Sequence, residues 1–405
     1  MRVLLRVALA SAVLPLIAPC QGLVGNPPAS KWQIERVDES GVGRFSSLKI
    51  DTKGNAHLAY VTDDGTDSLK YAFWDHTVKR WFVMTVAHGA SFSSLALDSH
   101  GRPHISYADA GMGSGAKLRH AFWDGAKWQI QAIPLNSDII GYYTSIGLDS
   151  HDNPAISFYE YRGPRGTDLA VRLRIVKWNG KIWELRTLDG DNQSGKFNSL
   201  AIDSGDHIHV AYANVNAAEM GAGIRYAYWN GGTWAVEDVD DREKNFTPMM
   251  GYALVGYSAD LALDRDGNPH ITYMNYSVPA LKYAVRRSGQ WNVQTVERLS
   301  GVGYLDRNAI VIDDNGNPYI GYLDPGQGVL KVAHLEEGRW KIEVVDGGGA
   351  GLTSSLQIHD GVLWISYADE PGACLKVARR PITNLETSSG ADATSLVGNA
   401  TRAGK

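Results

Sequence analysis

Four histidines, His57, His104, His209 and His270, occupy one recurring place in this 405-residue chain, where other copies of the same phrase carry Ala155, Tyr319 and Trp364. Imidazoles at such positions could ligate a metal or relay protons. A second recurring set pairs a base (Lys70, Arg119, Arg174, Arg225, Lys282, Lys331, Lys376) with an acid or amide a few residues earlier (Asp63, Asp109, Glu160, Asn214, Asn275, Asp324, Asp369). Asp264 with Asp266, and Asp313 with Asp314, partly resemble calcium loops but lack the bidentate acid at the required spacing. Polar residues repeated this evenly hold each repeat rather than perform one reaction. The histidines are expected to hydrogen-bond within their repeats, the bases to form seven cross-strand pairs, and the aspartates to cap turns; no metal site is expected.

The residues that do not repeat are the candidates for function. Segment 159–172 holds Tyr159, Tyr161, Arg162 and Arg165, and segment 240–259 holds Arg242, Lys244, Tyr252 and Tyr257; Tyr142, Tyr143 and Tyr304 stand nearby in the pattern. Tyrosine with arginine suits a hydroxyl-rich or carboxylate-bearing ligand, since rings lie against sugar faces and guanidinium groups fork to carboxylates. The alternative is that these insertions merely cover apolar surface. HExxH, GxSxG, a phosphate loop and a cysteine pair are all missing, and no cofactor is expected.

The elements that must position these residues follow from an internal repeat. SSLKIDTKGNAHLAY, SSLALDSHGRPHISY, TSIGLDSHDNPAISF, NSLAIDSGDHIHVAY, ADLALDRDGNPHITY, NAIVIDDNGNPYIGY and SSLQIHDGVLWISY are one phrase seven times, 46 to 61 residues apart. Each is followed by a phrase such as LKYAFWD and by one led by tryptophan, so every repeat carries four short strands. Alternation, as in Leu95-Ala96-Leu97, and turns such as Asp266-Gly267-Asn268-Pro269, Asn179-Gly180 and Asn230-Gly231 support that reading. Four antiparallel strands in a meander make a propeller blade. The last repeat lacks its tryptophan-led strand, whereas Lys31 to Asp38 matches that strand ahead of the first repeat. The chain therefore reads as all-β, a seven-bladed β-propeller over residues 31–380 with the N-terminal strand completing the last blade. Eleven of the twelve tryptophans fall at third-strand ends or fourth-strand starts, which marks them as blade packing; only Trp364 lies elsewhere. The insertions emerge on one face, as a lopsided rim over blades three to five.

Residues 1–20, with Arg2 and Arg6 before the apolar run Val7 to Pro19, read as a secretory signal peptide. Lipidation of Cys20 is the alternative, against which Pro19 counts. Cleavage would leave Cys374 without an intramolecular partner and take the formal charge from -5 to -7. Such a balance disfavours nucleic acid as a partner. No membrane span is read, residues 381–405 look like a disordered tail, and a secreted or periplasmic monomer is expected.

The phrases SLALDSHGRPHISYAD and LRHAFWD resemble repeats of secreted bacterial seven-bladed propellers, distantly similar to the sialidase-like and ulvan-lyase types, although the SxDxGxTW turn of sialidases is not intact. The ulvan-lyase resemblance implies β-elimination on a uronic-acid polysaccharide. His88 would be the base, Tyr161 or Tyr159 the proton donor and Arg174 the carboxylate partner, while Asp109 stands where that family has a second histidine. The reading favoured by the residues is binding of an extracellular glycan or polysaccharide on the loop-rich channel face, without chemistry, through Tyr142, Tyr143, Tyr159, Tyr161, Arg162, Arg165, Arg242 and Tyr257; the lyase is the alternative.

Overall fold

The computed structural model describes residues 32–109, 117–135, 140–162, 170–190, 194–216, 221–240, 255–301 and 308–382. Among these residues, 28 strands form seven four-stranded antiparallel sheets, the blades of a β-propeller. Six blades run in chain order. In the seventh, Gln33–Asp38 adds outside Cys374–Pro381, with Gln33 opposite Arg379 and Ile34 opposite Ala378. The two ends of the propeller thus share a blade. The expected leader and most of the expected tail, residues 383–405, lie outside the described residues.

The first strands of the blades are Gly43–Ile50, Ala90–Leu97, Ile140–Leu148, Ser194–Ile202, Val255–Leu263, Ala309–Ile312 and Ala350–His359. They neighbour one another around the axis, the last touching the first. Each pairs with its second strand on one edge only, so the other edge presents backbone N–H groups that need acceptors. Serines supply them from the preceding blade. The N–H of Leu95 donates to Ser47 Oγ at 3.0 Å, Ile146 to Ser94 at 3.3 Å, Leu200 to Ser145 at 2.9 Å, Leu261 to Ser199 at 3.2 Å and Leu48 to Ser355 at 3.0 Å. Asp260 serves the same purpose for Ile310 at 2.9 Å. At the remaining junction the equivalent residue is Ala309.

Apolar clusters fill the seams between blades, as where Leu48, Tyr60 and Trp74 pack on Trp364, Leu375 and Val377. The second-strand tyrosines at their centres are fully buried, so each hydroxyl needs a partner. Tyr60, Tyr212, Tyr273, Tyr322 and Tyr367 donate to Asp38, Asp189, Asp240, Glu297 and Asp346, the acids that end the preceding blade's fourth strand. The repeated bases join these clasps. Arg119–Asp109 (2.5 Å), Arg174–Glu160 (3.2 Å), Lys331–Asp324 (2.8 Å) and Lys376–Asp369 (2.7 Å) match the expected cross-strand pairs. Lys70 departs from them: it binds Asp38 at 2.9 Å, and Asp63 is held by Arg44 at 2.6 Å. The base ring is as much an inter-blade device as a cross-strand one.

The tryptophans pack as expected. Trp74 with Trp81, Trp123 with Trp128, Trp178 with Trp183 and Trp229 with Trp234 meet across hairpins at 5.3–5.8 Å. Fourth-strand tryptophans also reach the preceding blade, Trp128 onto Tyr71, Trp291 onto Tyr226 and Trp340 onto Tyr283.

The repeated histidines lie inside their blades. His57, His209 and His270 bond Tyr71, Tyr226 and Tyr283 through Nδ1 at 2.6–2.7 Å, and their Nε2 atoms stand 3.3–3.5 Å from Asp51, Asp203 and Asp264. In the second blade His104 bonds His120 at 3.1 Å. Those aspartates also cap their turns, Asp264 accepting from the N–H groups of Asp266 and Asn268. Burial disfavours the imidazolium forms, pushing His104 down to about 4 and His120 to about 3 and lowering His57, His209 and His270. The unfolded chain, with histidines near 6.5, then binds more protons than the fold below that pH. Stability is expected to be intact above pH 6.5 and to fall as pH drops from 6.5 towards about 4, by up to about 1.4 kcal/mol per pH unit for each buried histidine. Urea titrations across that range check this; a stability flat from pH 7 to 4 would contradict it.

Candidate functional site

The second-to-third and inter-blade loops emerge where the first strands begin, as the bonds from Gly89 N–H to Thr66 O and Ala90 N–H to Asp67 O show. On that face the first strands of blades one to five and seven are bulged among the described residues. The ladder shifts between Arg44 and Ser47, Ser91 and Ser94, Tyr142 and Ser145, Lys196 and Ser199, and Tyr257 and Asp260. At the bulge Phe45, Phe92, Tyr143, Phe197 and Ser258 have φ of 50–56°, a left-handed conformation that is unfavourable for a side chain with a Cβ. It is held by the neighbouring blade: Ser93 Oγ, Thr144 Oγ1 and Asn198 Nδ2 donate to the carbonyls of Phe45, Phe92 and Tyr143 at 2.6–2.9 Å.

The consequence is an arc of rings. Phe45 meets Phe92 at 4.6 Å, Phe92 meets Tyr143 at 4.6 Å, and Tyr143 meets Phe197 at 4.7 Å, all tilted. Tyr142 packs on Phe92 at 5.7 Å, Tyr159 on Tyr143 at 6.0 Å, and Lys196 lies over the Tyr159 ring at 5.6 Å. Phe92 and Tyr159 are buried, whereas Phe45, Tyr142, Tyr143 and Phe197 are half-buried. The fifth blade completes the bulge with Ser258, so the backbone does not require an aromatic there.

Below the arc the axis is a polar cavity of about 110 Å³ lined by the serine ring, Asn308 and Asp260. Asp260 also accepts from Ser199 Oγ at 2.6 Å. Two residues beyond Ser47, Lys49 stands where other blades carry Ala96, Gly147, Ala201, Ala262, Val311 and Gln357. Their surroundings in the channel wall disfavour both charges, which raises the Asp260 carboxyl and lowers the Lys49 amine; the hydrogen bonds to Asp260 and the attraction between the two groups oppose this only in part.

Of the residues singled out from the sequence, Tyr142, Tyr143 and Tyr159 are brought together at the seam of blades two and three. Tyr161 and Arg162 fall in the strand Pro154–Arg162 and Tyr257 in Val255–Leu263, their side chains outside the described residues, as are Arg165 and Arg242 entirely. His88 follows the strand Arg80–Ala87 on the loop-rich face, its Nδ1 2.8 Å from Ser68 Oγ. Arg174 is engaged with Glu160. At the two seams bounding the second blade the clasp acid is replaced by Ala87 and Pro134, and Tyr107 and Phe158 occupy the tyrosine positions. Phe45, Phe92 and Phe197 were not anticipated. Their signal is the aromatic two places before the ring serine or its neighbour in RFSS, SFSS, YYTS and KFNS.

Asp98, His100 and Asp152 are the described residues whose ligand atoms cluster within 4.8 Å. Their carboxylates are already committed, Asp98 to His100 N–H, Arg102 N–H and Arg102 Nε, and Asp152 to Ser99. Ser150 and Asp206 repeat the arrangement one blade on, which identifies it as an inter-blade clip.

No family model matches the chain, and no curated protein matches it in sequence. Solved structures with similar folds include an ulvan lyase of polysaccharide lyase family 25 bound to -[GlcA(1-4)Rha3S]- (TM-score 0.57, 13% identity, covering 84% of this chain and 94% of that one). The polysaccharide lyase Uly1 is similar over 86% of this chain and 99% of its own (TM-score 0.54, 10% identity). AofleA from Arthrobotrys oligospora matches over 78% and 90% (TM-score 0.51, 16% identity). These likenesses concern the fold, and they agree with the resemblance to ulvan-lyase-type propellers. No helix of the described residues is long and apolar enough to cross a membrane.

Replacing Asp260 tests the channel. Asp260→Ala removes the acceptor for Ile310 N–H and is expected to cost about 2 kcal/mol in chemical unfolding. Asp260→Ser combined with Lys49→Ala restores the arrangement of other blades and should recover most of that loss. Equal destabilisation by both variants would contradict the assigned bond.

Proposed function

We propose that this is a secreted propeller that binds a glycan across the loop-rich channel mouth without transforming it. The observation that carries the reading is the arc of Phe45, Phe92, Tyr143 and Phe197. Each adjacent ring pair contributes about 0.5–1.5 kcal/mol, yet the fifth blade holds the same bulge with a serine, so folding alone does not call for four consecutive rings. Half-buried rings beside Lys196 and the Arg44–Asp63 pair offer apolar faces edged by charge, a combination suited to pyranose rings and their hydroxyl or acidic substituents. Tyr161, Arg162, Arg165, Arg242 and Tyr257 would extend the surface outward. Two similar folds belong to polysaccharide lyases, which supports a carbohydrate ligand, and the leader read at residues 1–20 would export the chain to meet it.

A second reading, a lyase acting by β-elimination, is favoured by one observation: Ser68 holds Nδ1 of His88, which orients Nε2 as a base would need. Against it, the Arg174 guanidinium already faces Glu160. Appearance of unsaturated uronate product from a uronic-acid polysaccharide, abolished by His88→Ala, would establish that reading.

For the binding reading, a glycan array should show retention on the wild type. Tyr143→Ser and Phe197→Ser, which reproduce the residue tolerated at Ser258, should each weaken binding about tenfold, corresponding to about 1.4 kcal/mol, in a protein that stays folded at the assay temperature although its Tm falls by the few degrees that the lost ring pairs cost. Binding indifferent to both substitutions would remove the channel mouth as the site.

A further inference from the structure

The third blade breaks the repeat at three places that touch. Where the first, second, fourth and fifth blades carry His57, His104, His209 and His270, it has Ala155. Where they carry Tyr71, His120, Tyr226 and Tyr283 in the third strand, it has Ile175, and two residues on, in place of Phe73, Phe122, Tyr228 and Val285, it has Lys177. The sixth and seventh blades lack the histidine too, but Tyr319 and Trp364 fill its place with a ring. In the third blade none of the three positions holds a ring.

Two of the three, Ile175 and Lys177, line a cavity of about 310 Å³ at the seam of the third and fourth blades, on the face opposite the channel mouth. Trp178, Trp229 and Trp234 line it, together with Lys177, Arg186 and Asp149. A fourth departure lies in its wall. The fourth-strand tryptophans Trp81, Trp128, Trp291 and Trp340 donate their indole N–H to Glu35, Met84, Glu237 and Gln294, each three residues past the preceding blade's tryptophan. For Trp234 that residue is Arg186, which cannot accept. The Trp234 indole N–H is buried without a partner, and Arg186 lies over Trp229 at 5.0 Å. A buried donor left unpaired is costly, and four other blades pair it, with a glutamate, a methionine or a glutamine.

We infer that this inter-blade pocket is a second, independent binding site that takes one uncharged pyranose unit. Its volume is at the lower end of the range of small-molecule sites. Three indoles offer apolar walls, and the unpaired Trp234 N–H, shut off from water in the empty pocket, would reach a bound hydroxyl or ring oxygen through a small turn of its ring. Asp149 and Glu184 supply acceptors. Both cations are already neutralised, Lys177 by Asp149 and Arg186 by Glu184, each at 3.1 Å, so no net charge asks for an anionic ligand. The site does not depend on the channel-mouth reading.

The test is to rebuild the blade. Ala155→His/Ile175→Tyr/Lys177→Phe restores the first blade's set and puts rings at the two lining positions, 175 and 177, which narrows the cavity. Tryptophan fluorescence of the full chain is titrated with neutral hexoses, deoxyhexoses and uronates. Wild type is expected to respond saturably to a neutral sugar, and the rebuilt variant to lose at least tenfold in affinity while its Tm holds or rises. Glycan retention at the channel mouth should be unaffected, which separates the two sites. Trp234→Phe, which keeps a ring and removes the donor, should weaken binding without rebuilding the blade, so the proposal stays testable if the triple variant does not fold. No saturable response to any neutral sugar, a response confined to uronates, or equal affinity in wild type and both variants would overturn it.

Discussion

The axial edge of each first strand is the constraint from which the structure follows. Seven strands stand side by side around an axis, each with backbone donors that no further strand can satisfy, and a buried N–H without an acceptor is costly. One hydroxyl from the preceding blade resolves this at five described junctions and one carboxylate at a sixth. Because each bond crosses a seam, it also sets the stagger between neighbouring blades. The bulge that brings Ser47 and its equivalents into place turns the preceding residues into the left-handed conformation, and those residues form the mouth. Closure and the candidate site are therefore two results of one local geometry.

Further out, the seams are held by other means in successive shells. Buried tyrosine hydroxyls reach acids of the preceding blade, bases join them, and indoles of the outer strands cover the rim. Neighbouring shells are chemically distinct, which lets one be altered while the others hold. The second blade dispenses with the clasp acids at both its seams, and the third dispenses with its buried histidine network. Both changes fall on the side of the molecule where the aromatic arc and the inter-blade cavity lie.

The fold was legible because the repeat states it seven times. The missing tryptophan-led strand at one end and its counterpart at Trp32 imply the shared blade from the sequence alone. Contacts within a hairpin were also readable, as Arg119 with Asp109 illustrates. Contacts between blades were not: nothing in the spacing of Lys70 and Asp63 says that Lys70 turns to Asp38. Phe45, Phe92 and Phe197 recur in several blades, so nothing marks them against the repeat, and their backbone conformation leaves no compositional trace. Tyr142 and Tyr159 stand out from the equivalent residues of most other blades, and Tyr143 is singled out beside Tyr142 although it holds the same recurring position as Phe45, Phe92 and Phe197. The tryptophans show the opposite limit. They are packing residues by position, yet Trp234 becomes an open wall because Ile175, Lys177 and Arg186 changed around it, and that is visible only once the seam is assembled.

The central claim, that side chains of one blade satisfy the axial backbone of the next, is tested most directly by amide hydrogen exchange resolved at single residues. The N–H groups of Leu48, Leu95, Ile146, Leu200, Leu261 and Ile310 should exchange only through global unfolding, while that of Leu356, which faces Ala309, should exchange faster through local opening. Uniform protection of all seven, or rapid exchange at the six, would contradict the account.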